Sequence, residues 1–152
     1  MARRLAEGGQ PAAALACPSA PPDWEGAQVF GVVTGTVDRP QVRYFEPREI
    51  TPELLDLAAP VHPTEVFRFT APCREHACQF FRDGCCGVGK AAAAALDAED
   101  DAPLPRCGIR PDCRWWHEQG PAACRRCALV VTEDPARPEA FARALAGSAA
   151  GE

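Results

Sequence analysis

No stretch of this chain approaches the about 20 consecutive apolar residues of a membrane span, so no membrane helix is expected. A surplus of positive charge is also missing: 16 Lys and Arg stand against 21 Asp and Glu, a formal charge of −5. Neutralising phosphates along a nucleic acid needs the opposite balance, which argues against nucleic acid as a partner. Bulky apolar groups are scarce. The 47% apolar content is inflated by alanine runs that add little core volume, and 16 prolines and 12 glycines punctuate the rest. At 152 residues the chain therefore suits one compact domain with fewer folded residues than its length suggests. No internal repeat, Ser/His/Asp order, paired carboxylate site or His-x3-His spacing is present, so an enzyme is the less favoured class.

What is abundant is cysteine. Nine call either for disulfides in an oxidising compartment or for thiolates on metal in a reducing one. Arg3-Arg4 and Ala14-Leu15-Ala16-Cys17 faintly resemble export signals, but Glu7 to Pro11 interrupt any continuous apolar segment. Cytoplasmic thiols are the expectation.

Residues 1–22, rich in Ala, Gly and Pro, cannot bury enough surface to offset their ordering entropy and read as a disordered leader, with Cys17 playing no part. A single α+β domain then spans 23–135. In its first part, 23–71, Gln28–Thr34 and Gln41–Phe45 read as strands of a small β-hairpin turning at Asp38-Arg39-Pro40. Thr51-Pro52-Glu53 reads as a helix start that must stop near Pro60. Glu65–Thr70 alternates like a strand with one buried face. The second part, 72–132, is a loop-rich cysteine lobe with a helix from Cys86 to about Ala98, irregular chain from Pro103, and a last strand at Val130-Val131-Thr132. A short helix, Pro138 to Ala146, is placed in a C-terminal segment 136–152 that frays. Two or three short helices in all support the hairpin and the lobe.

Cys107-x5-Cys113-x10-Cys124-x2-Cys127 places four soft ligands within about twenty residues, enough for tetrahedral zinc or a cubane cluster. Cys73-x4-Cys78 and the adjacent Cys85-Cys86 form a second group near His62 and His76. Of the adjacent pair Cys86 is the expected ligand, because it precedes a helix whose N–H groups and dipole would lower its pKa. Three cysteines and a histidine could form a separate site, or all seven could share a polynuclear one. Zinc modules usually carry two short Cys knuckles, and only one is present, which favours an iron–sulfur cluster of the 4Fe-4S type over zinc. Arg106, Arg110, Arg114, Arg125 and Arg126 would offset the negative charge of a thiolate centre, Arg110 and Arg114 foremost, and Trp115 and Trp116 would shield it from water. Gly84 to Lys90 imitates a phosphate-binding loop, but Ala91 stands where a hydroxyl must ligate magnesium, so no nucleotide is expected.

Taken together, Pro72-Cys73, Cys78-Gln79-Phe80, Cys86, Cys107-Gly108-Ile109-Arg110-Pro111-Asp112-Cys113-Arg114-Trp115 and Gly120-Pro121-Ala122-Ala123-Cys124-Arg125-Arg126-Cys127 with Val130-Val131-Thr132 resemble a small family of bacterial cysteine-rich proteins without an assigned activity. The resemblance covers roughly residues 28 to 132. It implies that Cys73, Cys78, Cys86, Cys107, Cys113, Cys124 and Cys127 act as one metal-binding set, and it names no metal. The alanine- and arginine-rich composition fits a GC-rich bacterial source. The expected function is a cluster-bearing redox or sensor protein, or an accessory electron-transfer component, acting on a protein partner. A zinc-stabilised interaction module for protein or nucleic acid is the alternative, and a thiol enzyme the third.

Overall fold

The computed structural model describes residues 15–36, 39–98, 101–132 and 139–150, the side chains of 147–150 excepted. The leader up to residue 14, the turn residue Asp38, Glu99-Asp100 of the acidic run and the boundary at 135/136 lie outside the described residues.

The fold is α+β. Strand β1, Ala16–Cys17, is followed by β2, Gln28–Gly35, and β3, Pro40–Glu49. Strand β4, Phe67–Pro72, completes an antiparallel sheet in the order β1-β4-β2-β3. The expected hairpin is β2–β3, its β-branched and aromatic residues suiting a pleated, half-buried surface. Between β3 and β4, Thr51 caps helix α1, Pro52–Asp56, by accepting the Leu54 N–H at 3.1 Å. His62 and Glu65 form a capping box on α2, Pro63–Val66. That cap draws Glu65 and Val66 out of the expected strand, which starts at Phe67.

The two faces of the sheet bury different cores. Val29, Phe67, Phe69 and Ala58 pack on one side under α1 and α2. Phe30 points to the other side, into a larger cluster with Trp115, Ile109, Ala91, Ala92, Phe141 and Leu145. Burial of each such phenylalanine contributes about 1.5–3 kcal/mol. Because the lobe covers this second face, β4 is buried on both sides, Arg68 included. The expectation of one solvated face is thereby corrected.

After β4 a single 3-10 turn, Glu75–Ala77, leads to a hairpin of β5, Phe81–Arg82, and β6, Cys85–Cys86. Asp83 and Gly84 both have positive φ, 55° and 79°. A two-residue turn with that geometry matches the twist of the strands, and Asp-Gly satisfies it. Helix α3, Gly87–Ala95, begins at once. Gly89 lets it lie against Trp115: a Cβ there would sit 2.8 Å from the indole Cδ1. The turn at Gly84 and the close approach at Gly89 account for two of the three glycines that imitate a phosphate loop.

The stretch read as irregular from Pro103 is a chain of short helical pieces. A 3-10 turn at Arg110–Asp112 precedes α4, Arg114–Gln119, then α5, Pro121–Cys124, and a second 3-10 turn at Cys127–Leu129. Gly120, at φ 65°, joins α4 to α5, and Pro121 starts the latter. No periodicity survives in pieces this short, which is why none was visible. Val130 to Thr132 is not a strand; Val130 enters the core and Thr132 Oγ1 donates to the Ser19 carbonyl at 2.8 Å.

Two boundaries also move. Residues 15–22 are ordered: β1 pairs with Ala71 and Pro72, Cys73 N–H donates to the Leu15 carbonyl, and Ala20 is buried. The backbone hydrogen bonds of β4's free edge supply what the composition lacked. Helix α6, Glu139–Ala150, docks Phe141 and Leu145 onto the main core beside α3, so it belongs to the domain. No described helix is long and apolar enough to cross a membrane.

Candidate functional site

All nine cysteines are free thiols, and eight of them fall into two groups. Cys107, Cys113, Cys124 and Cys127 line one small cavity of about 20 Å³, roofed by Phe30, Tyr44 and Trp115. The lobe's helical pieces bring them there: Cys107 precedes the first 3-10 turn, Cys113 caps α4, Cys124 ends α5 and Cys127 opens the last 3-10 turn. Cys73, Cys78 and Cys86 line a separate cavity of about 580 Å³, and Cys17 of β1 lines it with them. Of the two expected arrangements, a separate site or one shared centre, the cavities divide the seven cysteines into two groups. The leader's cysteine belongs to one of them.

Five of the eight grouped sulfurs are met by backbone N–H groups. Cys17 takes a hydrogen bond from the Ser19 N–H, Cys73 from Glu75, Cys86 from Val88 and Gly89, Cys107 from Ile109 and Arg110, and Cys113 from Trp115 and Trp116. Each donor lies two or three residues beyond its cysteine. A neutral thiol is a weak acceptor, whereas donors aimed at sulfur favour the thiolate. Cys85 behaves in the opposite sense, its Sγ lying 3.4 Å from the Arg82 carbonyl as a donor. That contrast supports Cys86 over its neighbour.

Burial opposes these donors. It pushes the Cys17 thiol up to about 12 and Cys127 up to about 11, and it raises Cys86, Cys107 and Cys113. For Cys86 the expected lowering by the helix N-terminus is overruled, since desolvation outweighs the two amides and the Trp115 indole. Every thiol whose pKa moves is moved up, unlike an activated nucleophile. A bound cation would reverse that shift, since a coordinating thiol is deprotonated and its proton leaves to solvent.

Positive charge is distributed between the groups in an unexpected way. Arg110 lies near Cys107 and favours its thiolate, while its guanidinium sits 5.5 Å from the Trp116 ring centre. Arg114 does not face the four-cysteine cavity. Its Nε donates to Cys73 Sγ at 3.1 Å, and its terminal nitrogens bind Glu118 at 2.8 Å and Glu75 at 2.7 Å. Glu118 in turn accepts the Cys86 N–H at 2.8 Å. Trp115 stands between the groups, lining the small cavity while its indole N–H donates to Cys86. Arg125 and Arg126 bind backbone carbonyls, Arg125 that of Ala102 and Arg126 those of Leu96 and Ala122.

Two contributors were not foreseen. Arg68, held by the carbonyls of Thr64 and Ala128, places its charge where it lowers the Cys127 pKa. Tyr44 brings a buried hydroxyl beside Cys127 that closes no well-formed hydrogen bond. An arginine between two phenylalanines in a strand was the available sign of the first. Of the histidines, His62 caps α2, His76 lies edge-on to Phe81 and His117 meets the Pro111 carbonyl at 2.7 Å. None lines either cavity.

Within each group the thiols surround a space without closing on one point. Among the described residues no three of His, Cys, Asp or Glu are gathered as ligands of a single ion. Comparisons with protein-family models, with curated proteins and with solved structures returned no match.

Proposed function

We propose that this is a metal-binding protein whose Cys107, Cys113, Cys124 and Cys127 hold an iron–sulfur cluster, serving electron transfer or redox sensing with a protein partner in the reducing cytoplasm. The observation that carries this reading is four thiols lining one small cavity, with backbone N–H groups directed at Cys107 and Cys113. Their spread around that space suits a polynuclear centre, in which each iron takes one cysteine, better than one ion taking all four. When bound, such a cluster supplies a reversible one-electron couple. The chain's own part is to bind, shield and tune it. Trp115 and Phe30 exclude water, Arg68 and Arg110 offset the anionic charge of four thiolates, and the Tyr44 hydroxyl gains an acceptor. Cations and N–H···S bonds raise a cluster's reduction potential by favouring the more electron-rich state.

The small size of the cavity favours a second reading, a single structural zinc, since about 10–15 Å³ of such volume accommodates one water. Anaerobic purification without a His-tag, followed by assay of iron, zinc and acid-labile sulfide, separates the two. Iron with matching sulfide, reduced in Cys124→Ser, is the expected result. Stoichiometric zinc without sulfide would replace the cluster with a structural module.

A further inference from the structure

The larger cavity is not explained by that centre. Its about 580 Å³ are lined by Cys17, Cys73, Cys78 and Cys86 together with aromatic and aliphatic side chains and a few polar ones, Arg74 among them. We propose that these four cysteines form a second iron–sulfur site, completed by Cys17 from the N-terminal strand, so that the chain carries two clusters. The inference extends the cluster reading of Cys107–Cys127 to a separate set of residues.

Ligand number and chemistry come first. Four thiols meet the requirement of a cluster held entirely by cysteine, and the cavity far exceeds the space of one ion. Cys17 belongs by construction: β1 pairs Cys17 with Ala71 and ties Leu15 to Cys73, which carries its sulfur to the side where Cys73 and Cys86 stand. Histidine does not compete for the place, because His62 is engaged in its capping box and His76 rests against Phe81 outside the cavity lining.

The surroundings are independent support. Buried cysteines that merely pack need no donors, but Cys73 receives the Glu75 N–H and the Arg114 Nε, and Cys86 receives two amides and the Trp115 indole. Arg114 is itself buried and held on both sides by Glu75 and Glu118, so its Nε is fixed toward sulfur. Glu118 fixes the Cys86 backbone by a bond at 2.8 Å. These supports rise from α4, whose first residue follows Cys113 of the other group. One helix thus borders both sites. On loading, each thiol releases its proton to solvent as its sulfur binds iron.

The test is the iron and sulfide content of anaerobically purified wild type, Cys17→Ser, Cys124→Ser and the control Cys85→Ser. With two such all-cysteine clusters per chain, Cys17→Ser and Cys124→Ser should each fall to about half of wild type, and Cys85→Ser should not change. Full content in Cys17→Ser with loss of all iron in Cys124→Ser would overturn the second site and leave the first. Loss of all iron in Cys17→Ser with none in Cys124→Ser would do the reverse, and a wild type without iron overturns both. Should Cys17→Ser fail to fold, alkylation of wild type before and after chelation decides: Cys17 must become labelled only once iron is removed, and equal labelling in both states rejects the site.

Discussion

The two cysteine groups differ in how the chain builds them. Cys107, Cys113, Cys124 and Cys127 come from one short stretch, the last three at the ends of helical pieces, around a small cavity. Cys17, Cys73, Cys78 and Cys86 come from an edge strand, a 3-10 turn and a hairpin, and they face a far larger space. The local group pays little loop-closure entropy, whereas the other depends on the sheet to bring distant segments together. Damage to the sheet should therefore reach the second group first, while damage to α4, which Cys113 caps, should reach both.

The largest effect should come from Trp115→Ala, which removes the fully buried ring lying between the groups. A loss of about 3–5 kcal/mol in urea unfolding is expected, with metal lost from both groups, so this change erases the contrast. Arg114→Met should sharpen it. Loss of the charged hydrogen bonds to Glu118 and Glu75 should cost up to about 3 kcal/mol, and metal analysis should show depletion confined to the Cys73 group. Gly89→Ala drives a methyl into the indole, costing about 2 kcal/mol as an overpacked core contact. Trp115 fluorescence should shift with it, and retention of metal at Cys107–Cys127 is the expected accompaniment. Smallest is Thr51→Ala, which removes the α1 cap away from both groups: about 1 kcal/mol of stability, with metal content unchanged.

Legibility in the sequence followed the same division. The β2–β3 hairpin, the Thr51 cap and the four-cysteine stretch were readable because each is decided by neighbours in the chain: alternation, a cap residue beside proline, or ligands a few residues apart. Arg110's place beside Cys107 was readable for that reason. Arg114 reads from its spacing as a cation beside thiols, but spacing alone cannot say that α4 turns its guanidinium toward Cys73. Composition alone reads the segment of Cys17 as unable to bury enough surface, and it cannot show the free edge of β4 with which that segment pairs. Arg68 was read as solvated because alternation reports polarity, and only the docked lobe makes that face an interior.

Strand β1 touches more than β4. Ala16 also bridges to Cys113, far along the chain. A ribosome delivers the N-terminus first, so residue 16 must wait until the segment carrying Cys113 has emerged before its last contact can form. Contacts of such long sequence separation form slowly. Strand β1 is thus seated only once the segment carrying Cys113 has been made, and any metal that Cys17 helps to hold would enter after that.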